Sequence, residues 1–69
     1  MTITKENFNL KPGTYLEDTS GIIVLVSEYD PNHQWYEYHD TEINDDGDII
    51  ELSTGGYVTP ADLIGCEIV

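Results

Sequence analysis

Clusters of turn-forming residues cut this chain into short pieces, at Pro12-Gly13, Thr19-Ser20-Gly21, Asp30-Pro31-Asn32 and Asn44-Asp45-Asp46-Gly47. No segment between them combines the length and the helical period that a stable α-helix needs, so the pieces read as strands. Thr14 to Asp18 is a first short strand. Ile22 to Tyr29 is the strongest, β-branched and apolar on both alternating faces. Gln34 to Ile43 is a third, with Tyr36 and Tyr38 on one face and Trp35, Glu37 and His39 on the other. Asp46-Gly47 tolerates the positive φ of a tight reversal, so Asp48 to Ser53 returns as a fourth. Gly55 to Val58 is then a short extended piece, Thr59 to Leu63 a single 3₁₀-like turn, and Cys66 to Val69 a last strand. Thr59 suits the N-cap of that turn and Pro60 its first position. Residues 1–12 form an N-terminal arm from which Phe8 and Leu10 tuck against the body.

Sixty-nine residues make one domain, 1–69, with a core that only just offsets the cost of ordering the chain. Cys66 is the single cysteine, which precludes an internal disulfide and fits a reducing cytoplasm. The N-terminal residues lack the apolar run of a secretory signal, and the longest apolar stretch, Ile22 to Val26, is far short of a membrane span. The chain therefore reads as soluble and cytoplasmic.

Three stretches, Gly21-Ile-Ile-Val-Leu-Val-Ser-Glu28, Gln34-Trp35-Tyr36-Glu37-Tyr38 and Gly56-Tyr57-Val58-Thr59-Pro60-Ala61-Asp62-Leu63, resemble the second strand, the tryptophan-led third strand and the closing segment of Src-homology-3-like (SH3-like) domains. The resemblance spans residues 14 to 69 and implies an all-β fold: a small five-stranded SH3-like barrel with one 3₁₀ turn near the C-terminus. Trp35 matches the groove tryptophan of peptide-binding members. Leu63, however, stands where an aromatic usually lines the proline groove, so the resemblance implies an interaction role more than polyproline binding.

Charge constrains function more tightly than it constrains the fold. The formal net charge is −12, thirteen of the fourteen carboxylates follow Lys11, and no Lys or Arg occurs after it. Such an excess repels itself in the compact state and suits a surface that meets something positive. It disfavours direct contact with nucleic acid and with anionic membranes, both of which call for Lys and Arg. Nine carboxylates fall in one stretch: Glu28, Asp30, Glu37, Asp40, Glu42, Asp45, Asp46, Asp48 and Glu51. Alternate strand residues stand about 6.8 Å apart and duplex DNA carries a phosphate every ~3.4 Å per strand, so Asp40, Glu42, Asp46 and Asp48 can imitate every second phosphate. Trp35 and neighbouring tyrosines would supply aromatic anchors inside this acidic rim.

The segment Glu42 to Ile49 approximates the start of an EF-hand loop, but it begins on Glu and ends with Ser53 in place of the bidentate Glu, so a plain hairpin turn is expected and no metal site. His33, His39 and Cys66 are the only groups suited to acid–base or nucleophilic work, and no Arg accompanies them. Neither an enzyme nor a cofactor is expected. The chain instead reads as an acidic binding protein that occupies the basic nucleic-acid-binding surface of a partner enzyme. In type it is similar to small phage anti-defence proteins, the anti-CRISPR and anti-restriction DNA mimics, which implies a CRISPR effector or a restriction nuclease as target in a bacterial host. The alternative is an SH3-like interaction or phage assembly module that works through exposed aromatics. A homodimer through the apolar C-terminal edge, Ile64 to Val69, is compatible with either.

Overall fold

The structure is a computed structural model that describes residues 1–6 and 9–69. Phe8, expected to tuck against the body, lies outside the described residues. Five strands form one antiparallel sheet: β1 Thr14–Glu17, β2 Ile23–Asp30, β3 Trp35–Ile43, β4 Ile49–Val58 and β5 Glu67–Ile68, in the order β4-β3-β2-β1-β5. A 3₁₀ turn, Pro60–Leu63, precedes β5, and there is no α-helix among the described residues. Pro60 opens this turn as expected, but the Thr59 hydroxyl donates to the Asp62 carboxylate at 2.9 Å and makes no cap to a backbone N–H.

The expected fourth strand and the short piece after it are one element. β4 runs on through Gly55-Gly56, and the β3–β4 ladder slips by two residues on the way, from His39 opposite Gly55 to Thr41 opposite Glu51. A second irregularity interrupts β2–β3, where Val26 faces Tyr38 but Tyr29 faces Tyr36. Bulges bend strands and increase their twist. The sheet accordingly curls, and Val58 of β4 and Ile68 of β5 pack against the same core although their strands lie at opposite ends of the order. No ladder joins β4 to β5 among the described residues, so the sheet stays open where a barrel would close.

The core consists of Ile3, Leu16, Val26, Tyr36, Leu63 and Cys66. Ile3 is wholly buried, which makes the N-terminal arm part of the fold. Its amide donates to the Cys66 carbonyl at 2.8 Å, its own carbonyl accepts from Gly65 at 2.9 Å, and Leu10 packs at the core margin with its amide donating to the Tyr36 hydroxyl at 3.1 Å. The arm also occupies the outer edge of β5: Thr2 pairs with Glu67, its hydroxyl donating to that carboxylate, and the Met1 carbonyl accepts from Ile68 at 2.9 Å. The C-terminal edge proposed for a dimer is therefore already paired within the chain. Among the described residues the free edge of the sheet is β4.

Candidate functional site

The turn between β2 and β3 builds an aromatic platform. Asp30 begins the turn, and its Oδ1 accepts the backbone N–H groups of Asn32 at 2.9 Å and His33 at 3.4 Å. Its Oδ2 lies 2.7 Å from His33 Nδ1. The hydrogen bond from His33, helped by those backbone donors, holds the Asp30 carboxyl below its ordinary range. Gln34 adopts a left-handed φ of 57° that lets the chain enter β3.

This geometry presses the imidazole of His33 flat on Trp35, with ring centroids 4.4 Å apart and an interplanar angle of 6°. Tyr57 of β4, opposite Glu37, stacks on Trp35 diagonally at 4.9 Å. Each such pair contributes about 0.5–1.5 kcal/mol beyond area burial. With both rings stacked on the indole, the Trp35 Nε1–H is shielded from solvent and has no acceptor among the described residues. Tyr57 is 60 % exposed, so the platform faces outward.

Next along the same face, His39 bridges two carboxylates. Its Nε2 lies 3.3 Å from Glu37 Oε1, and its Nδ1 lies 2.9 Å from Glu51 Oε2 and 3.2 Å from the Leu52 carbonyl. Both ring nitrogens face acceptors, an arrangement that only the doubly protonated ring satisfies. The Glu37 hydrogen bond first, then the Leu52 carbonyl and the Glu51 charge, push the His39 pKa up.

The ten residues singled out in the sequence thus fall into separate groups. Asp30, Trp35, Glu37 and Glu51 lie on the outer face, where His33 and His39 engage the three carboxylates. Asp40 and Glu42 occupy alternate β3 positions on the opposite face, which carries the buried Tyr36. Asp40 accepts a hydrogen bond from the Thr54 hydroxyl at 2.9 Å. Glu28 is exposed beside the β2 irregularity. Asp45, Asp46 and Asp48 are exposed in the β3–β4 hairpin loop, where Asn44 Oδ1 accepts the N–H groups of Asp46 at 3.0 Å and Asp48 at 2.9 Å. β2 pairs with β3 only as far as Asp40, so this tip is two-stranded, with Ile43 and Ile50 exposed among the acids.

Other candidate chemistry is muted. Burial, with the nearby charge of Asp18, pushes the Cys66 thiol up, and a thiol held protonated is a poor nucleophile. Among the described residues no three His, Cys, Asp or Glu side chains are grouped to hold a metal ion, and no helix is long and apolar enough to cross a membrane. Sequence reasoning set Trp35 with neighbouring tyrosines as anchors and named His33 only as an acid–base candidate, so it did not stack His33 and Tyr57 on Trp35. The available signal was His33 and Trp35 on either side of Gln34, at the exit of a turn that opens on Asp-Pro. Comparison with protein-family models, with curated proteins and with solved structures gave no match for this chain.

Proposed function

We propose that this chain is a non-enzymatic binding protein whose acidic surface docks on a Lys/Arg-rich protein surface of the kind that otherwise holds nucleic acid. The observation that carries this reading is uncompensated charge. No Lys or Arg follows Lys11, and among the described residues the ion pairs draw only on His33, His39 and the N-terminal amine. A basic partner relieves the self-repulsion that this excess imposes, and it is steered to the surface at long range. The hairpin tip supports the same reading, because Ile43 and Ile50 give it apolar contact area among Glu42, Asp45, Asp46 and Asp48.

A CRISPR effector or restriction nuclease in a bacterial cytoplasm is the target class that so acidic a small domain suggests. Five strands with a 3₁₀ turn before the last support kinship with the SH3-like barrel, in a form whose seam stays open. The test is capture of partners from bacterial lysate, with competing duplex DNA used to elute them. A nucleic-acid-binding enzyme should be released by the duplex and should not bind the variant D40N/E42Q/D46N/D48N. Native affinity in that variant, with the fold intact, overturns the reading.

A second reading is favoured by the His33–Trp35–Tyr57 stack. An exposed aromatic platform with carboxylates beside it is also what a protein-interaction module uses as its anchor. The two readings differ in salt dependence: electrostatic docking weakens steeply with ionic strength, whereas aromatic docking barely changes and is lost in Trp35→Ala.

A further inference from the structure

On the concave side of the sheet, between Val58 of β4 and Leu16 of β1, lies an open cavity of about 340 Å³. Its apolar lining comes from Leu16, Val24, Val58, Leu63 and Cys66, with Tyr38 beside them. Ile22, 59 % exposed, stands among the lining residues as apolar surface left in water. Three carboxylates from three separate segments share the site: Asp18 after β1, Asp40 in β3 and Asp62 in the 3₁₀ turn.

Each of these carboxylates is oriented by neutral donors. Asp18 Oδ1 accepts the N–H groups of Ser20 at 2.8 Å and Ile22 at 3.0 Å, while Asp40 and Asp62 each accept a threonine hydroxyl at 2.9 Å. None has a cationic partner among the described residues. They do not converge on a metal ion either, since no such group of three occurs among the described residues. Dispersed anions around an apolar floor complement a ligand with an apolar body and separate flanking cations.

We propose that this groove seats an aliphatic side chain of a partner protein, at a position where Lys or Arg flanks Leu, Ile or Met. The identity of the occupant rests on the preceding reading that the partner is basic; the groove itself does not. Seating the side chain covers Ile22 and the apolar floor, and the flanking cations reach Asp40, Asp62 and Asp18. The contact lies on the sheet face opposite the Trp35 platform, so it is a second point of attachment. The volume falls at the lower end of ligand pockets, about 300–1,000 Å³, which fits one bulky side chain and parts of its neighbours.

The experiment is an NMR titration of the full chain with the peptide acetyl-Arg-Leu-Arg-amide, with acetyl-Arg-Gly-Arg-amide and acetyl-Glu-Leu-Glu-amide as comparisons. The first peptide should shift the methyl signals of Ile22, Val24, Val58 and Leu63 saturably, and leave the Trp35 indole signal in place. The glycine peptide should bind more weakly and the acidic peptide not at all. Asp40→Asn with Asp62→Asn should weaken binding about three- to tenfold, the worth of two partly exposed ion pairs, and each asparagine can still accept its threonine hydroxyl. Ile22→Thr, at an exposed position, should weaken it without disturbing the fold. Shifts confined to Trp35 and Tyr57 or to the Asp45–Asp48 tip overturn the groove assignment while leaving the acidic-docking reading standing. Equal binding by the glycine peptide, or by the acidic one, overturns it as well. Groove binding that persists unchanged at high salt keeps the groove as an apolar site but removes the cations from its ligand.

Discussion

Replacing Ile3 by alanine tests whether the N-terminal arm is structural. Ile3 is fully buried and belongs to the cluster of Leu16, Val26, Tyr36, Leu63 and Cys66. Its two hydrogen bonds, to Cys66 and from Gly65, involve only backbone atoms and survive the substitution. The loss is then packing alone, which for a buried Ile→Ala is about 2–5 kcal/mol, and for Ile→Val about 0.5–1.5 kcal/mol. A domain of this length has roughly 3.5–10 kcal/mol of total stability. Ile3→Ala therefore removes about a fifth or more of it, and with about 4–8 °C lost per kcal/mol it lowers Tm by some 8–40 °C. Thermal and urea unfolding followed by Trp35 fluorescence measure this directly. Lys5→Ala, at an exposed position of the same arm, should stay within about 0.5 kcal/mol of the parent. If Ile3→Ala costs less than about 1 kcal/mol, the arm is peripheral and the core assignment is wrong.

Gly55→Ala should destabilise by about 1–3 kcal/mol or more, since its Cβ would collide with the backbone carbonyl oxygen of Tyr38. An unchanged Tm would mean that β4 does not approach β3 so closely. His39→Gln should cost stability in a pH-dependent way. The folded-state pKa of His39 is raised, so its contribution is fully present below the unfolded value of about 6.5 and is lost as pH rises through the folded value. The difference between parent and variant in urea unfolding should be largest in mild acid and shrink above neutrality; a pH-independent difference refutes the Glu37–His39–Glu51 clamp. Asp30→Ala should release His33 from Trp35 and reduce the near-ultraviolet circular dichroism of the stack. Asp30→Asn should keep part of that signal, because its amide oxygen can still accept the Asn32 and His33 N–H groups. Equal loss in both variants would assign the turn to the His33 contact alone.

Strand positions were legible because turn residues and alternation both act locally. The split between Tyr36 and Tyr38 on one face and Trp35, Glu37 and His39 on the other follows from a period of two and needs no tertiary information. The continuity of β4 was not legible, because Gly55-Gly56 reads as a break until Tyr38 is set opposite it. A Cβ on Gly56 would lie 3.2 Å from the Tyr38 hydroxyl, so the glycines admit a close approach inside a strand. Ile3 was missed because Thr2-Ile3-Thr4 alternates over too few residues to register as a strand. The acidic excess was plain in the composition, but the His39 clamp depends on register. Without the two-residue slip, Thr41 would face Ser53; with it, Thr41 faces Glu51 and brings that carboxylate to His39.

The open sheet offers a competing account of the charge, because a free strand edge templates aggregation and like charges discourage it. The edge in question is β4, and the two accounts place carboxylates differently. Edge protection calls for charge along Ile49–Val58, yet that strand carries a single carboxylate, Glu51, already engaged by His39. Its edge is blunted instead by the ladder slip and the Gly55-Gly56 pair, which interrupt the regular pleat that another strand would need. The carboxylates gather elsewhere: Asp45, Asp46 and Asp48 at the hairpin tip, and Asp18, Asp40 and Asp62 around the concave groove. Asp45, Asp46 and Asp48 stand in the loop beyond the last ladder pair and the groove carboxylates on the sheet face, and each place sets its charge beside apolar surface, Ile43 and Ile50 at the tip and Ile22 at the groove. Charge spent only on solubility gains nothing from that juxtaposition. Charge that meets a basic partner does, because association then buries the adjoining apolar side chains together with the neutralised carboxylates.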